Sequence, residues 1–258
     1  SKGPPPSGST RSRMITWRDE GLLLSVRRHG ETSAIVEVLT SGHGRHAGLV
    51  RGGSSARMTP VLQPGAQLML EWQARIADHL GAFNVELLRS RAAMLIASRN
   101  RLAAFNAVTA LLLCFVPERE PDEGLYELTL SLAEALTSDD EDWAALYVIW
   151  ELGLLGSLGF PLDLTKCAAT GSEDHLVWVS PKSGRAVSAE GGSGWEDRLL
   201  HMPGFLKGGT PKDGDVISGL RLTGYFLENW VLPSTNLRAL PEARARFCAR
   251  LGARPAEP

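Results

Sequence analysis

The feature that most constrains the fold is an abrupt change of hydrophobic periodicity near residue 90. From residue 21 to residue 90, short apolar runs alternate with turns that are rich in Gly and Ser, a pattern typical of β-strands. Residues 92–116 are instead rich in Ala and Leu, with apolar side chains at helical spacing. The change predicts an α+β protein in which a β region precedes a helical region.

The β region contains five strand-like runs, at residues 21–28, 34–40, 46–50, 67–74 and 81–88. Five short strands in about 70 residues suit a small closed barrel, and the OB-fold is the commonest barrel of five strands. An SH3-like barrel fits the pattern nearly as well. The prediction is therefore an N-terminal five-stranded OB-fold barrel, with the SH3-like barrel as the alternative.

The helical region predicts helices over residues 92–116, 125–136, 142–158, 213–232 and 241–251, with a turn-rich segment in the middle. This pattern predicts a multidomain chain in which a small insert interrupts the helical domain. The predicted division is a disordered tail or tag over residues 1–13, a barrel over 14–91, a first helical part over 92–162, an insert over 163–194 and a second helical part over 195–258.

The insert has the spacing of a zinc ribbon without its ligands. Zinc ribbons read C-x2-C, a gap of roughly 15–20 residues, then C-x2-C. The equivalent positions here are Cys167, Thr170, Ser188 and Gly191, and only the cysteine is a zinc ligand. We therefore predict no metal, and expect apolar packing of residues 176–179 to hold the insert together.

Enzyme motifs are absent from the sequence. It contains no G-x-S-x-G, no H-E-x-x-H, no P-loop and no dinucleotide fingerprint, so we predict neither a catalytic site nor a cofactor. The three cysteines, Cys114, Cys167 and Cys248, are odd in number and far apart, which favours reduced thiols in a cytoplasm. The longest apolar run, residues 107–116, is too short to cross a bilayer, which requires about 20 residues.

Charge is distributed unevenly along the chain. Residues 14–93 carry nine Lys and Arg against seven Asp and Glu, whereas residues 94–162 carry three against eleven. Residues 195–258 again carry nine against seven. A polyanion would be repelled by the middle of the chain and tolerated at either end.

Arginines at the predicted strand ends and turns of the barrel are the candidate DNA contacts. These residues are Arg27, Arg28, Arg45, Arg51, Arg57 and Arg75. Aromatic residues that could stack on bases are few, namely Trp72 and Phe83 in the predicted barrel and Trp17 just before the barrel. Because Trp72 alternates with apolar leucines, we expect it to be buried. Phosphate contacts should therefore outweigh base stacking, and binding should weaken steeply with salt.

Six motifs in a fixed order identify a family resemblance. They are GRHAGLVRGGSSAR at residues 44–57, LQPG at 62–65, EREP at 118–121, ELGLLGSLGFPLDLTKCAATG at 151–171, VSPKSGRAVS at 179–188 and LTGYFLENWVLP at 222–233. A chain with these motifs resembles the RecO family of bacterial recombination mediators, and most closely its alphaproteobacterial branch. The resemblance implies an OB barrel, a helical domain and an inserted zinc ribbon. Some family members bind zinc, but this chain lacks their cysteines.

The resemblance also implies a function without catalysis. RecO proteins bind single- and double-stranded DNA and anneal complementary strands. With RecR, and often RecF, they let RecA load onto DNA coated by single-strand-binding protein. The motif at residues 44–57 places implied DNA contacts at Arg45, Arg51 and Arg57. Such a protein is expected to be cytoplasmic and to associate with the nucleoid when active.

A partner site is implied in the helical domain. In the family this domain receives the C-terminal tail of single-strand-binding protein, an acidic peptide with apolar final residues. The only cations of the acidic segment 94–162 are Arg99, Arg101 and Arg119, and they are the candidates for this contact. The competing interpretation is a protein–protein adaptor with an OB-like barrel that does not bind DNA directly.

Overall fold

The computed structural model describes residues 14–253, which divide into two compact units. The first unit contains residues 14–40 and His46–Ser90, and the second contains Ser41–Arg45 and residues 91–253. The first is built around five strands, and the second contains helices and a small sheet. This arrangement confirms the predicted mixed α+β chain with an N-terminal five-stranded sheet and a helical C-terminal region. Within the described residues, no helix combines the length and the apolar character needed to span a membrane.

The N-terminal strands form a sheet that closes on itself. Their order is β1-β2-β3-β5-β4, and β4 pairs in turn with β1. Most neighbours are antiparallel, but β3 and β5 run parallel and meet at Leu49 and Ala82. The strands are β1 at Ile15–His29, β2 at Ser33–Thr40, β3 at Gly44–Val50, β4 at Gln67–Ala74 and β5 at Ala82–Arg89.

Strand β1 begins earlier than its sequence predicts. The apolar run indicates a start at residue 21, but β1 extends back to Ile15 and its first half pairs with β4. This half contains Arg18, Asp19 and Glu20, whose charges conceal the strand pattern. The reason for the extension is that β4 needs a hydrogen-bonding partner, a long-range requirement that local sequence does not reveal.

The aromatic residues of the first unit belong to its core. Trp72 and Phe83 are 3% and 2% exposed, and the half-buried Trp17 stacks on Trp72 with ring centroids 5.8 Å apart. Gly48 allows this packing, because a Cβ there would lie 2.3 Å from the Phe83 ring. The prediction that Trp72 is buried is confirmed.

The described part of the second unit contains six α-helices. The predicted helix over residues 92–116 is two helices, because Ser98 is extended and caps the second by accepting a hydrogen bond from the Arg101 amide. After the fifth helix the chain continues through a π-helical turn at Leu227–Val231. The helices are α1 at Ala92–Ala97, α2 at Arg99–Phe115, α3 at Glu123–Ala135, α4 at Trp143–Ser157, α5 at Asp215–Phe226 and α6 at Glu242–Arg250.

A buried ion pair joins three of these helices. Glu151 of α4 accepts two hydrogen bonds from the Arg244 guanidinium of α6, at 2.7 and 2.9 Å. Arg244 also donates to the Leu220 carbonyl of α5 at 3.0 Å, and Thr223 of α5 donates to Glu151. Both charged side chains are buried, and their mutual contacts satisfy groups that would otherwise be costly to desolvate.

The segment between α4 and α5 contains a small three-stranded sheet. Its strands are β6 at Leu176–Val179, β7 at Ala186–Ser188 and β8 at Leu200–His201, in the order β7-β6-β8. Leu176 and Val179 are buried, as apolar packing of this segment requires.

Candidate nucleic-acid interface

Two loops of the first unit pack against each other. The loop after β3 begins at Arg51, and the β1–β2 turn follows His29. The Ser54 amide donates to the Thr32 carbonyl at 2.9 Å, and its hydroxyl donates to the Ser33 carbonyl at 2.7 Å. These bonds bring the arginines of the β3–β4 loop to the same end of the sheet as the arginines that end β1.

The two consecutive arginines near the end of β1, Arg27 and Arg28, have different surroundings. Arg28 pairs with Ala34 of β2 and lines a groove of about 470 Å³ with Ser54 and Gln63 of the β3–β4 loop. Arg27 pairs with Ile35, and its side chain points to the opposite face of the strand, because side chains alternate along a strand. Both arginines are exposed.

The β4–β5 loop, residues 75–81, reaches the same region. The Leu49 amide of β3 donates to the Gly81 carbonyl at 3.1 Å, two residues before Arg51. Arg75 begins this loop directly after β4. Three adjacent loops or turns therefore contain or border five exposed arginines, which we name the arginine rim: Arg27, Arg28, Arg51, Arg57 and Arg75.

The arginine rim is electropositive. Its five cations face only two acidic residues on the same turn and loops, Glu31 and Asp78. Across residues 14–253, none of the five guanidinium groups takes part in an ion pair. Exposed, unneutralised guanidinium groups on neighbouring loops are well suited to bind successive phosphates.

Arg45 is separate from the arginine rim. It belongs to the second unit, and its side chain is 11% exposed. Its Nε donates to the Val116 carbonyl at 2.8 Å, and its Nη1 lies 3.6 Å from the Glu118 carboxylate. Direct DNA contact by Arg45 stays a prediction, but its guanidinium already has a structural role that the sequence pattern did not indicate.

The cations predicted to bind a partner peptide flank α2. Arg99 and Arg101 lie at its start, whereas Arg119 lies four residues beyond the end of this helix, which is about 25 Å long at 1.5 Å per residue. Arg101 donates to the carbonyls of Ala135 and Asp140, at 2.9 and 2.8 Å. A shared role of the three cations in one peptide contact therefore lacks support from their placement.

The four ribbon-like positions do converge. The Cys167 sulfur accepts hydrogen bonds from the Ser188 amide at 3.2 Å, the Ser188 hydroxyl at 3.3 Å and the Thr170 amide at 3.4 Å. A Cβ on Gly191 would lie 2.8 Å from this sulfur. Burial alone would raise the pKa of Cys167, but the hydrogen bonds from Ser188 and Thr170 lower it to about 6. Within the part of the chain that is described, no group of three or more His, Cys, Asp or Glu side chains is placed to hold a metal ion.

A cavity of the second unit lies elsewhere, between the small sheet and the last two helices. It has a volume of about 1000 Å³, and Arg198, Arg221, Tyr225, Glu228 and Cys248 contribute to its lining. None of the residues that the sequence analysis selected for DNA or partner binding lines it.

Comparisons with known proteins match almost the whole chain to one protein family. Residues 14–91 match the family described as Recombination protein O N terminal, and residues 97–237 match Recombination protein O C terminal. The DNA repair protein RecO of Cereibacter sphaeroides is 53% identical over 235 residues, which cover 91% of this chain and 97% of that protein.

Two further relatives have the same name. The DNA repair protein RecO of a Ruegeria species is 52% identical over 241 residues, covering 93% of this chain and all of that protein. The corresponding protein of Rhodospirillum rubrum is 47% identical over 245 residues, covering 92% of this chain and 97% of that protein.

Proposed function

This chain belongs to the RecO family of DNA repair proteins, and on that premise we propose that it is a recombination mediator that anneals complementary single strands. With RecR, and with RecF where it takes part, the protein helps RecA load onto DNA coated by single-strand-binding protein. The family is one of mediators and not of enzymes. The observation that carries the proposal is the arginine rim, which gathers five exposed cations on three neighbouring loops.

The topology of the first unit supports an OB-fold. A closed sheet of order β1-β2-β3-β5-β4, with a parallel contact between β3 and β5, is the arrangement expected of this fold. OB-folds bind oligonucleotides through the face of strands 2 and 3 and through the β1–β2 and β4–β5 loops. These loops border or contain Arg27, Arg28 and Arg75, and this position supports the arginine rim as the proposed DNA-binding site.

The ribbon-like insert and the acidic segment 94–162 also fit the proposal. The convergence of Cys167, Thr170 and Ser188 supports the interpretation of the insert as a zinc ribbon whose ligands were lost. Residues 94–162 are strongly acidic, which favours protein partners over DNA for this part of the chain. The C-terminal tail of single-strand-binding protein is the proposed partner of the helical domain.

Charge reversal on the arginine rim tests DNA binding. We expect Arg51→Glu with Arg57→Glu to abolish binding of single-stranded DNA at low salt, because two phosphate contacts become repulsive. The matched control is Arg238→Glu with Arg246→Glu, which makes the same change of net charge at exposed positions of the second unit. Fluorescence titration measures both affinities, and thermal unfolding checks that both variants fold.

A salt series separates the mediator from the adaptor. For the wild-type protein, the logarithm of affinity should fall with the logarithm of salt concentration, by about 0.7 for each phosphate neutralised on a single strand. An adaptor would bind no DNA even at low salt. Equal affinities of wild-type protein and the rim variant would also count against the proposed site.

A further inference from the structure

Four large apolar side chains of the first unit are exposed at the start of β1 and in the β4–β5 loop. They are Met14 at 46%, Ile15 at 41%, Ile76 at 54% and Leu80 at 39%, and we name them the apolar patch. Ile15 pairs with Ala74 at the end of β4, so the start of β1 lies beside the β4–β5 loop. Large apolar side chains exposed on neighbouring segments mark a contact surface more often than singly scattered ones do.

The loop that carries Ile76 and Leu80 is held in place by the core. The buried Trp72 donates its indole N–H to the Leu80 carbonyl at 3.0 Å, and the His79 amide donates to the Ile76 carbonyl at 3.1 Å. Gly81 has a φ of +67°, and a Cβ there would lie 2.4 Å from the Trp72 Nε1. A contact made by this loop therefore costs little ordering entropy.

Exposed cations flank the apolar patch. Arg75 immediately precedes Ile76, and the bond from the Leu49 amide to the Gly81 carbonyl brings the loop close to Arg51. A surface that places apolar side chains between cations is complementary to a single strand of DNA, which presents apolar base faces along a line of phosphates. This charge pattern favours nucleic acid over an uncharged protein surface.

The aromatic side chains of the first unit are not available to stack on bases, because they pack into its core. Any base contact at this site would therefore be made by aliphatic side chains. Trp72 and Phe83 are buried, and Trp17 packs against both. Ile76 and Leu80 are the large apolar side chains that the β4–β5 loop exposes. Apolar side chains can pack against the faces of an unstacked base, as they do around a base that has been flipped out of its stack.

We propose that Ile76 and Leu80 contact unpaired bases of single-stranded DNA while Arg51 and Arg75 bind the adjacent phosphates. The inference rests on the proposed DNA-binding function and adds a base-contacting element to that site. In a duplex the bases are stacked and paired, so the apolar patch contributes to binding of single strands and not to binding of duplex.

An abasic oligonucleotide tests the proposal, because it keeps the phosphates and removes the bases. The variant is Ile76→Ser with Leu80→Ser, and the control is Ile96→Ser with Leu237→Ser, two exposed apolar positions of the second unit. Fluorescence anisotropy would measure affinity for a dT oligonucleotide, an abasic oligonucleotide of equal length and a duplex. Thermal unfolding checks folding, and Leu80→Ser alone replaces the double variant if that variant unfolds.

The patch variant should lose about tenfold in affinity for dT, comparable with the loss of one base contact, and keep wild-type affinity for the abasic strand and the duplex. The control should match wild-type protein on all three ligands. Unchanged dT affinity would overturn the proposal and leave a protein partner as the occupant, and equal losses on dT and abasic strands would overturn it too. If wild-type protein binds no oligonucleotide, the proposed function itself fails, a result distinct from either of these.

Discussion

At the scale of single residues, Cys167 is the point on which the four ribbon-like positions converge. Its sulfur accepts three hydrogen bonds from the turns that converge on it. A thiolate accepts such bonds better than a thiol, which explains why the pKa of Cys167 falls to about 6 although burial opposes ionisation. The hydrogen bonds from the two turns therefore favour ionisation of the Cys167 sulfur.

This lowered pKa predicts a pH-dependent stability. The pKa of Cys167 is about 6 in the folded protein against an ordinary 9.0, so its stabilisation is complete above pH 9, declines as pH falls and is absent below pH 6. Cys167→Ala should therefore cost more unfolding free energy at pH 9.5 than at pH 5.5. Denaturant unfolding of wild-type protein and variant at both pH values measures the two differences.

The matched control for this prediction is Cys114→Ala. Cys114 is exposed, and partial desolvation raises its pKa instead of lowering it. Its substitution should not reproduce the larger loss at high pH. A cost of Cys167→Ala that stays the same from pH 5.5 to pH 9.5 would mean that the sulfur acts only by packing.

At the scale of secondary-structure elements, the second unit depends on charge as well as on apolar packing. The pair of Glu151 and Arg244 links α4 with α6, and Thr223 and Leu220 add contacts from α5. Gly224 leaves room for the guanidinium, because a Cβ there would lie 3.0 Å from its Nη1. Such a network aligns three helices through one buried point.

Removing one partner of the pair should be strongly destabilising. Arg244→Leu leaves the Glu151 carboxylate buried without its cation, and we expect a loss of about 3–5 kcal/mol in the free energy of unfolding. The control is Arg246→Leu on the same helix, whose exposed pair with Glu242 should contribute less than about 1 kcal/mol. Chemical denaturation measures both, and similar losses for the two variants would contradict a special role for the buried pair.

The sequence predicts elements with local patterns better than contacts made at long range. The alternation around Trp72 predicts its burial, and the turn residues around Arg51 and Arg57 predict exposed cations. The break between α1 and α2 depends on the cap that Ser98 provides, and the early start of β1 depends on its pairing with β4. Hydrophobic periodicity reveals neither of these interactions. For the same reason, the contact of Arg45 with Val116, 71 positions away, could not be anticipated.

The candidate site was predictable only in part. Arginines at strand ends are visible in the sequence, but the bonds of Ser54 and Leu49 that gather their loops are not. The sequence analysis does not select Ile76 and Leu80, the proposed base contacts, because an apolar residue in a loop is ordinarily assigned to the core. Their place in a short loop that begins with Arg75 is the available signal.

At the scale of the whole molecule, the two units carry different charge and are suited to different partners. The arginine rim belongs to the first unit and suits phosphates, whereas residues 94–162 of the second unit are strongly acidic and suit proteins. The proposed function would use both kinds of surface, one for DNA and one for protein partners.

The most direct test of this account is the annealing of two complementary oligonucleotides coated with single-strand-binding protein, followed by energy transfer between dyes on the two strands. Wild-type protein should accelerate annealing several-fold over the spontaneous rate, and Arg51→Glu with Arg57→Glu should remove the acceleration while the protein stays folded. Annealing that proceeds equally well with the rim variant, or no acceleration by wild-type protein, would contradict the account.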